Sequence, residues 1–274
     1  MRLRIDLAYD GTEFHGWAVQ PSLRTVQGEL ETALATVMRT PVAVTCAGRT
    51  DTGVHARGQV VHLDTTPEVL LAAAGRSGMG AEALVRRLNG VLPADVHVIR
   101  VAEAPEGFDA RFSAIWRRYA YRVADVPEVM DPLTRRHVVP WGRPLDLDAM
   151  NGAALRLVGE HDFAAFCKKR AGATTIRRLL DLSWQRDDHG VLVATVRADA
   201  FCHNMVRALM GCLVAVGEGR HDAEWAASVL AGRERVPQVA VLPPHGLTLE
   251  EVAYPPDDEL VAQATAARRV RTLG

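Results

Sequence analysis

Val42-Ala-Val-Thr-Cys-Ala-Gly-Arg-Thr-Asp-Thr-Gly-Val-His-Ala-Arg-Gly-Gln-Val-Val-His-Leu-Asp64 reads as a strand, a tight loop and a second strand. Val42 to Ala47 forms the first apolar run and Gln59 to Asp64 the second. Gly48 and Gly53 bracket the loop between them, and Arg49 and Asp51 stand two apart at its tip. A strand follows the loop where a Walker loop or a Rossmann fingerprint would continue into a helix, so neither phosphate-binding device is present here. Upstream, Leu3, Ile5, Leu7 and Tyr9 alternate with polar or small residues, the pattern of a half-buried strand. Thr25 is placed to cap a helix carrying Val26, Leu30, Ala33, Leu34 and Val37, with Pro41 beyond its end. Downstream, Ala81 to Asn89 reads as a helix and Asp95 to Val101 as a strand. The order is βαββαβ, the ferredoxin-like arrangement.

The second half repeats that order. Tyr119, Tyr121 and Val123 alternate as a strand, and Asp146 can cap a helix with Leu147, Met150, Ala154 and Leu157. Leu180, Leu182 and Trp184 alternate. Val191 to Ala198 answers them after a turn at Asp187 to Gly190. Met205, Leu209, Cys212, Leu213 and Val216 form a helical stripe, Asp222 to Ala231 adds a helix, and Leu247 to Val252 is a closing strand. The pattern predicts an α/β (α+β) fold of two tandem ferredoxin-like subdomains with a central cleft. Residues 1–105 form the first, residues 106–254 the second, and 255–274 is a tail that forms a peripheral helix or frays.

The chain has 274 residues and a formal net charge of −1, so it is no strongly basic coat protein for nucleic acid. Its charge is nonetheless segregated. Arg111 to Arg122 holds four arginines and no acid, and Lys168 to Arg178 holds five basic residues and no acid. Acids gather at Glu103 to Asp109, Asp125 to Asp131 and Asp257 to Glu259. Segregation of this kind suits one face that meets a polyanion. Of the four cysteines, none forms a Cys-x-x-Cys pair, and reduced cytosolic thiols are the simplest expectation. His55, His62 and His203 match no common zinc spacing, so no metal site is expected. The N-terminus lacks an apolar core of signal-peptide length and no run approaches 18 apolar residues, which points to the cytoplasm and away from a membrane.

The loop gains specificity from its company. Gly48-Arg-Thr-Asp-Thr-Gly-Val-His55 resembles the signature loop of the TruA family of tRNA pseudouridine synthases. Tyr9-Asp-Gly-Thr-Glu-Phe-His-Gly-Trp17, Thr25-Val-Gln27, Phe108-Asp-Ala-Arg-Phe-Ser113, Arg117-Arg-Tyr-Ala-Tyr121 and Phe201-Cys-His-Asn-Met-Val-Arg-Ala-Leu-Met-Gly211 resemble further blocks of that family, in order, over nearly the whole chain. The resemblance implies a cofactor-free isomerase, a homodimer, that turns uridine into pseudouridine at positions 38 to 40 of the tRNA anticodon stem-loop. It maps the catalytic carboxylate to Asp51, its arginine partner to Arg207, an aromatic beside the target base to Tyr119, and a base-flipping arginine to Arg49. Arg111, Arg117, Arg118, Lys168, Lys169 and Arg170 are candidates for phosphate contacts. Three features depart from the family pattern: Asp109 where histidine is frequent, Ala18-Val-Gln20 after the first tryptophan, and a Gly-rich stretch from Ala74 to Gly80.

These residue types suit the chemistry. Pseudouridine formation breaks the N1–C1′ bond, turns the uracil and joins C5 to C1′; no atom is lost and no electron is transferred. A carboxylate can attack C1′ or assist glycal formation, and the sequence leaves both routes open. A uridine stacked in a stem must first be flipped out. A non-catalytic RNA-binding module and a small-molecule enzyme with a phosphate loop are the competing readings.

Overall fold

The computed structural model describes residues 1–74, 80–168 and 174–269. The chain divides into two compact units, the first built from Met1–Ile115 with Leu249–Arg269 and the second from Trp116–Thr248. The division falls ten residues later than position 105, and the closing strand and tail return to the first unit. That return rests on specific contacts. The Gln263 side chain donates to the carbonyl of Ala114, the Ser113 hydroxyl donates to that of Leu260, and Tyr254 donates to that of Ala110 at 2.8 Å.

The first unit contains β1 (Arg2–Tyr9), α1 (Val26–Met38), β2 (Thr45–Cys46), β3 (His55–Asp64), α2 (Pro67–Ala74), α3 (Gly80–Asn89) and β4 (Val96–Glu103). Its strands run antiparallel in the order β4-β1-β3-β2, the ferredoxin-like order that βαββαβ connectivity gives. In β1, Leu3, Ile5, Leu7 and Tyr9 are buried and the residues between them are partly exposed, as the alternation requires. Thr25 caps α1 by accepting a hydrogen bond from the Gly28 N–H, and the helix ends at Arg39 in the left-handed region (φ 57°). The helix α2 is an addition that the polar–apolar pattern did not announce. The Gly-rich stretch after it lies largely outside the described residues.

The second unit contains β5 (Trp116–Ala124), β6 (Val139–Pro140), α4 (Leu147–Leu155), β7 (Gly159–Asp162), β8 (Ile176–Arg186), β9 (Leu192–Ala198), α5 (Met205–Gly217) and α6 (Ala223–Gly232). Strands β5, β9, β8 and β7 are antiparallel neighbours in that order, and β6 pairs with β5 in parallel. Asp146 and Asp222 cap α4 and α6 by accepting backbone N–H groups, each worth about 1 kcal/mol. In the β8–β9 turn, Asp187 accepts from the N–H groups of His189 and Val191, and Gly190 supplies a φ of +82°. Helix α5 is buried almost all round, so it forms the centre of this unit's core.

The strand β10 (Leu247–Ala253) passes from the second unit into the first. It leads to α7 (Leu260–Ala267), which places a helix within the tail. Gly107, at φ +76°, lies so close to α7 that an added Cβ would meet Val261 at 2.3 Å. The expectation of four reduced thiols needs correction. Cys46 and Cys212 are free and buried, but Cys167 and Cys202 form a disulfide with Cα atoms 5.7 Å apart. Spacing of 35 residues hid this pairing. The Lys168 N–H donates to the carbonyl of His203, and that hydrogen bond aligns the two short segments that carry the cysteines.

Candidate functional site

The loop between β2 and β3 is held from below by the segment Tyr9–Trp17. Two glycines make the approach possible. A Cβ on Gly11 would sit 2.0 Å from the carbonyl oxygen of Val54, and one on Gly16 would sit 3.0 Å from that of Thr50. Gly16 also holds φ +88°, which favours glycine. Hydrogen bonds then tie the two segments. The Trp17 N–H donates to the Thr50 carbonyl at 3.0 Å, the Gly53 N–H to that of Phe14 at 3.4 Å, and the Gly11 N–H to His55 Nδ1 at 2.9 Å. Within the loop, the Val54 N–H donates to the Asp51 carbonyl at 3.1 Å.

The result is an alternation in the loop itself. Thr50 is buried, Arg49 is exposed and Asp51 is half-buried. Beneath Thr50 lies a buried polar group formed by Tyr9 and Gln59, neither of which the sequence had marked as functional. The only advance sign was a tyrosine closing an apolar alternation, since a buried phenol hydroxyl needs a partner. Burial pushes the Cys46 thiol up to about 11, and the positive charges of Arg49 and Arg111 oppose that rise. Arg49 and Arg111 therefore act on one neighbourhood. His55 and His62 each use Nδ1 to accept a backbone N–H, from Gly11 and Ala110 respectively, which gives both a role in holding the fold.

The second unit holds the remaining candidates. Tyr119 is buried in β5 opposite Val196, and Phe201 meets its ring edge-on at 5.1 Å. Arg207 lies in the first turn of α5. Its Nε donates to the Leu242 carbonyl at 2.6 Å, while the Leu242 N–H donates back to the Arg207 carbonyl at 3.2 Å. The same helix approaches residue 240 so closely that a Cβ on Gly211 would lie 1.8 Å from its carbonyl oxygen. The Leu242 carbonyl thus holds one nitrogen of the Arg207 guanidinium. Burial raises the pKa of Tyr121, whose hydroxyl donates to the Pro243 carbonyl, and the charge of Arg207 counters part of that effect.

The six phosphate candidates fare differently. Lys168 and Arg111 are exposed, with the Arg111 guanidinium over the Phe112 ring at 5.0 Å, and Arg118 is half-buried. Arg117 is buried and donates to the Asp199 carbonyl at 2.8 Å, so its guanidinium is engaged in holding β5 and poorly placed for a phosphate. Lys169 and Arg170 lie outside the described residues.

A mixed α/β enzyme fold with a glycine-bracketed Arg-Thr-Asp loop matches a family model described as tRNA pseudouridine synthase, over residues 7–113 and 153–255. The tRNA pseudouridine synthase A of Streptomyces griseus subsp. griseus is 62% identical over 276 residues, spanning 100% of this chain and 95% of that protein. Its counterparts in Frankia casuarinae and Mycobacterium leprae are 57% and 49% identical, each spanning 99% of this chain and 96% of the relative. The chain belongs to the tRNA pseudouridine synthase family and is an isomerase.

Proposed function

We propose that this chain converts uridine to pseudouridine in the anticodon stem-loop of tRNA, at positions 38 to 40, with Asp51 as the catalytic carboxylate. The observation that carries the reading is the loop of Gly48 to Gly53: the family motif stands intact there, and Asp51 is half-buried on a backbone anchored at Thr50. A carboxylate fixed in this way loses little freedom when a sugar is brought to it. The reaction breaks the N1–C1′ bond, lets the uracil turn and joins C5 to C1′, and the C5 proton is finally lost as N1 regains one. Asp51 serves either by attacking C1′ or by taking a proton from the ribose. Tyr119 is proposed to stack on the extruded uracil, and Arg207 to keep the carboxylate ionised. Arg49 takes the place of the flipped base. Arg111, Arg118, Lys168, Lys169 and Arg170 meet phosphates. No redox cofactor is called for, because no atom is lost and no electron is transferred. The reading extends, by family resemblance, to a homodimer in the cytoplasm.

Asp51→Asn keeps the volume of the side chain and removes its charge. It is expected to fold and to bind tRNA within a few-fold of the parent. Its turnover on an anticodon stem-loop should fall at least about a thousandfold, roughly 4 kcal/mol in the barrier. Tritium release from 5-³H-uridine in a transcript measures this directly. Turnover near that of the parent would remove Asp51 from the mechanism.

A further inference from the structure

Tyr9, Thr50 and Gln59 form a buried hydrogen-bonded chain. The Gln59 side chain faces the carbonyl oxygen of Gly48 at 2.7 Å, and a carbonyl only accepts, so the group turned toward it is the amide NH2. The same nitrogen lies 3.3 Å from the Tyr9 hydroxyl oxygen and donates its second hydrogen there. The Tyr9 hydroxyl lies 2.7 Å from Thr50 Oγ, a hydrogen bond in which either hydroxyl can donate. Gln59, Tyr9 and Thr50 are thus linked in one continuous chain. Gln59 is 0% exposed, Tyr9 5% and Thr50 6%, so water offers little substitute for any link.

The chain reaches the catalytic loop at two points. Gly48 is fixed through its carbonyl, two residues before Arg49-Thr50 is complete, and Thr50 is fixed through its hydroxyl. The Trp17 N–H adds a third anchor at the Thr50 carbonyl. Arg49 lies between the two anchored residues and Asp51 directly follows them. The register of β1 against β3 shifts between Leu7 and Tyr9, a bulge of the kind that re-aims a side chain, and it falls where Tyr9 reaches the loop.

We propose that Tyr9 is a positioning residue for the reaction, holding Asp51 in place through Thr50 with Gln59 as its support. This rests on the reading of Asp51 as the catalytic carboxylate. In this role Tyr9, which is 5% exposed, acts through the loop and not on the substrate. Its hydroxyl sets where the backbone before Asp51 lies, and a displacement of about 1 Å at a catalytic group can cost up to a hundredfold in rate.

The test uses the full chain with Tyr9→Phe, Thr50→Val, their double variant and Thr50→Ser, with Asp51→Asn beside them. Tyr9→Phe and Thr50→Val are each expected to lower kcat about 10- to 100-fold, with KM for tRNA within about twofold. The double variant should be no slower than the slower single one, because both remove the same hydrogen bond. Thr50→Ser, which keeps the hydroxyl, should return to within a few-fold of the parent. Parental kcat in Tyr9→Phe, losses that multiply in the double variant, or a Thr50→Ser as slow as Thr50→Val would each overturn the positioning role. If Tyr9→Phe melts below the assay temperature, Thr50→Val against Thr50→Ser decides alone. Parental turnover in Asp51→Asn overturns the assignment of Asp51, whereas an inactive Asp51→Asn beside a fully active Tyr9→Phe overturns only the role of Tyr9.

Discussion

Arg49 is exposed although the residues on both sides of it are anchored, Gly48 by Gln59 and Thr50 by Tyr9 and Trp17. A long cation on so fixed a base is suited to enter a stem and occupy the space of an extruded nucleotide. If that is its task, Arg49→Ala should lower turnover on a paired anticodon stem by roughly a hundredfold while tRNA binding falls only a few-fold. A mismatch at the target uridine reduces the unstacking energy the protein must supply, so it should rescue part of the loss. Single-turnover rates on the paired and mismatched stems make the comparison. Equal defects on both would assign Arg49 to the electrostatics around Asp51 in the chemical step instead. At this scale the sequence was informative about Arg49 and Asp51, because charged residues in a glycine-bracketed loop stand out. It was silent about Thr50 and Tyr9. Their hydrogen bond joins residues 41 apart, and a threonine in a turn looks the same whether it caps a backbone N–H or supports a catalytic loop.

Elements with a clear period were legible. Strand β1, the capped helices α1, α4 and α6, and the β8–β9 hairpin all follow from alternation, helical stripes and turn residues. Strand β7, Gly159–Asp162, was not, since Gly-Glu-His-Asp carries no apolar alternation and is a strand through its pairing with β8. Asp125 shows the same limit. It opens one of the acidic stretches of the sequence, yet it is fully buried just after β5. Arg186 at the end of β8 grips both of its oxygens at 2.8 Å, and the Leu145 N–H ahead of α4 donates to it at 3.0 Å. Three elements meet at one carboxylate. Burial opposes its ionisation, but the Arg186 guanidinium and the Leu145 N–H prevail and hold its pKa below the ordinary carboxylate value. The folded-state pKa is therefore depressed, so the stabilisation is fully present above the unfolded carboxylate pKa and is lost as pH falls through the folded one. Arg186→Ala, which leaves a buried charge without its cation, should destabilise the fold in urea unfolding at pH 7, by less than the roughly 3–5 kcal/mol of a fully buried pair because Arg186 is itself 38% exposed. Protonating Asp125 relieves that burial, so the gap between variant and parent should shrink below pH 4. A gap that stayed constant down to pH 3 would remove the ion pair as its cause.

For the molecule as a whole, a net charge of −1 coexists with arginine- and lysine-rich stretches of opposite local sign. Long-range attraction to a polyanion is weak for such a chain, and the affinity for tRNA must come from contacts within about a Debye length of its phosphates. Each lysine or arginine that neutralises a phosphate releases condensed counterions, so log K should fall linearly with log salt. The slope counts contacts, and burial decides which arginines enter the count. Lys168, exposed beside the Cys167–Cys202 disulfide, belongs with Lys169 and Arg170 in the proposed basic stretch. Changing all three to alanine should weaken tRNA binding at physiological salt and reduce the magnitude of the slope by about 2 to 3. Arg117 provides the contrast. It is buried and donates to the Asp199 carbonyl, so Arg117→Ala should lower the melting temperature and leave the salt slope unchanged. Titrations of a labelled tRNA between about 50 and 300 mM KCl distinguish the two kinds of arginine. An unaltered slope in the triple variant would move the RNA contacts away from residues 168–170, and a reduced slope in Arg117→Ala would place that guanidinium on the RNA after all.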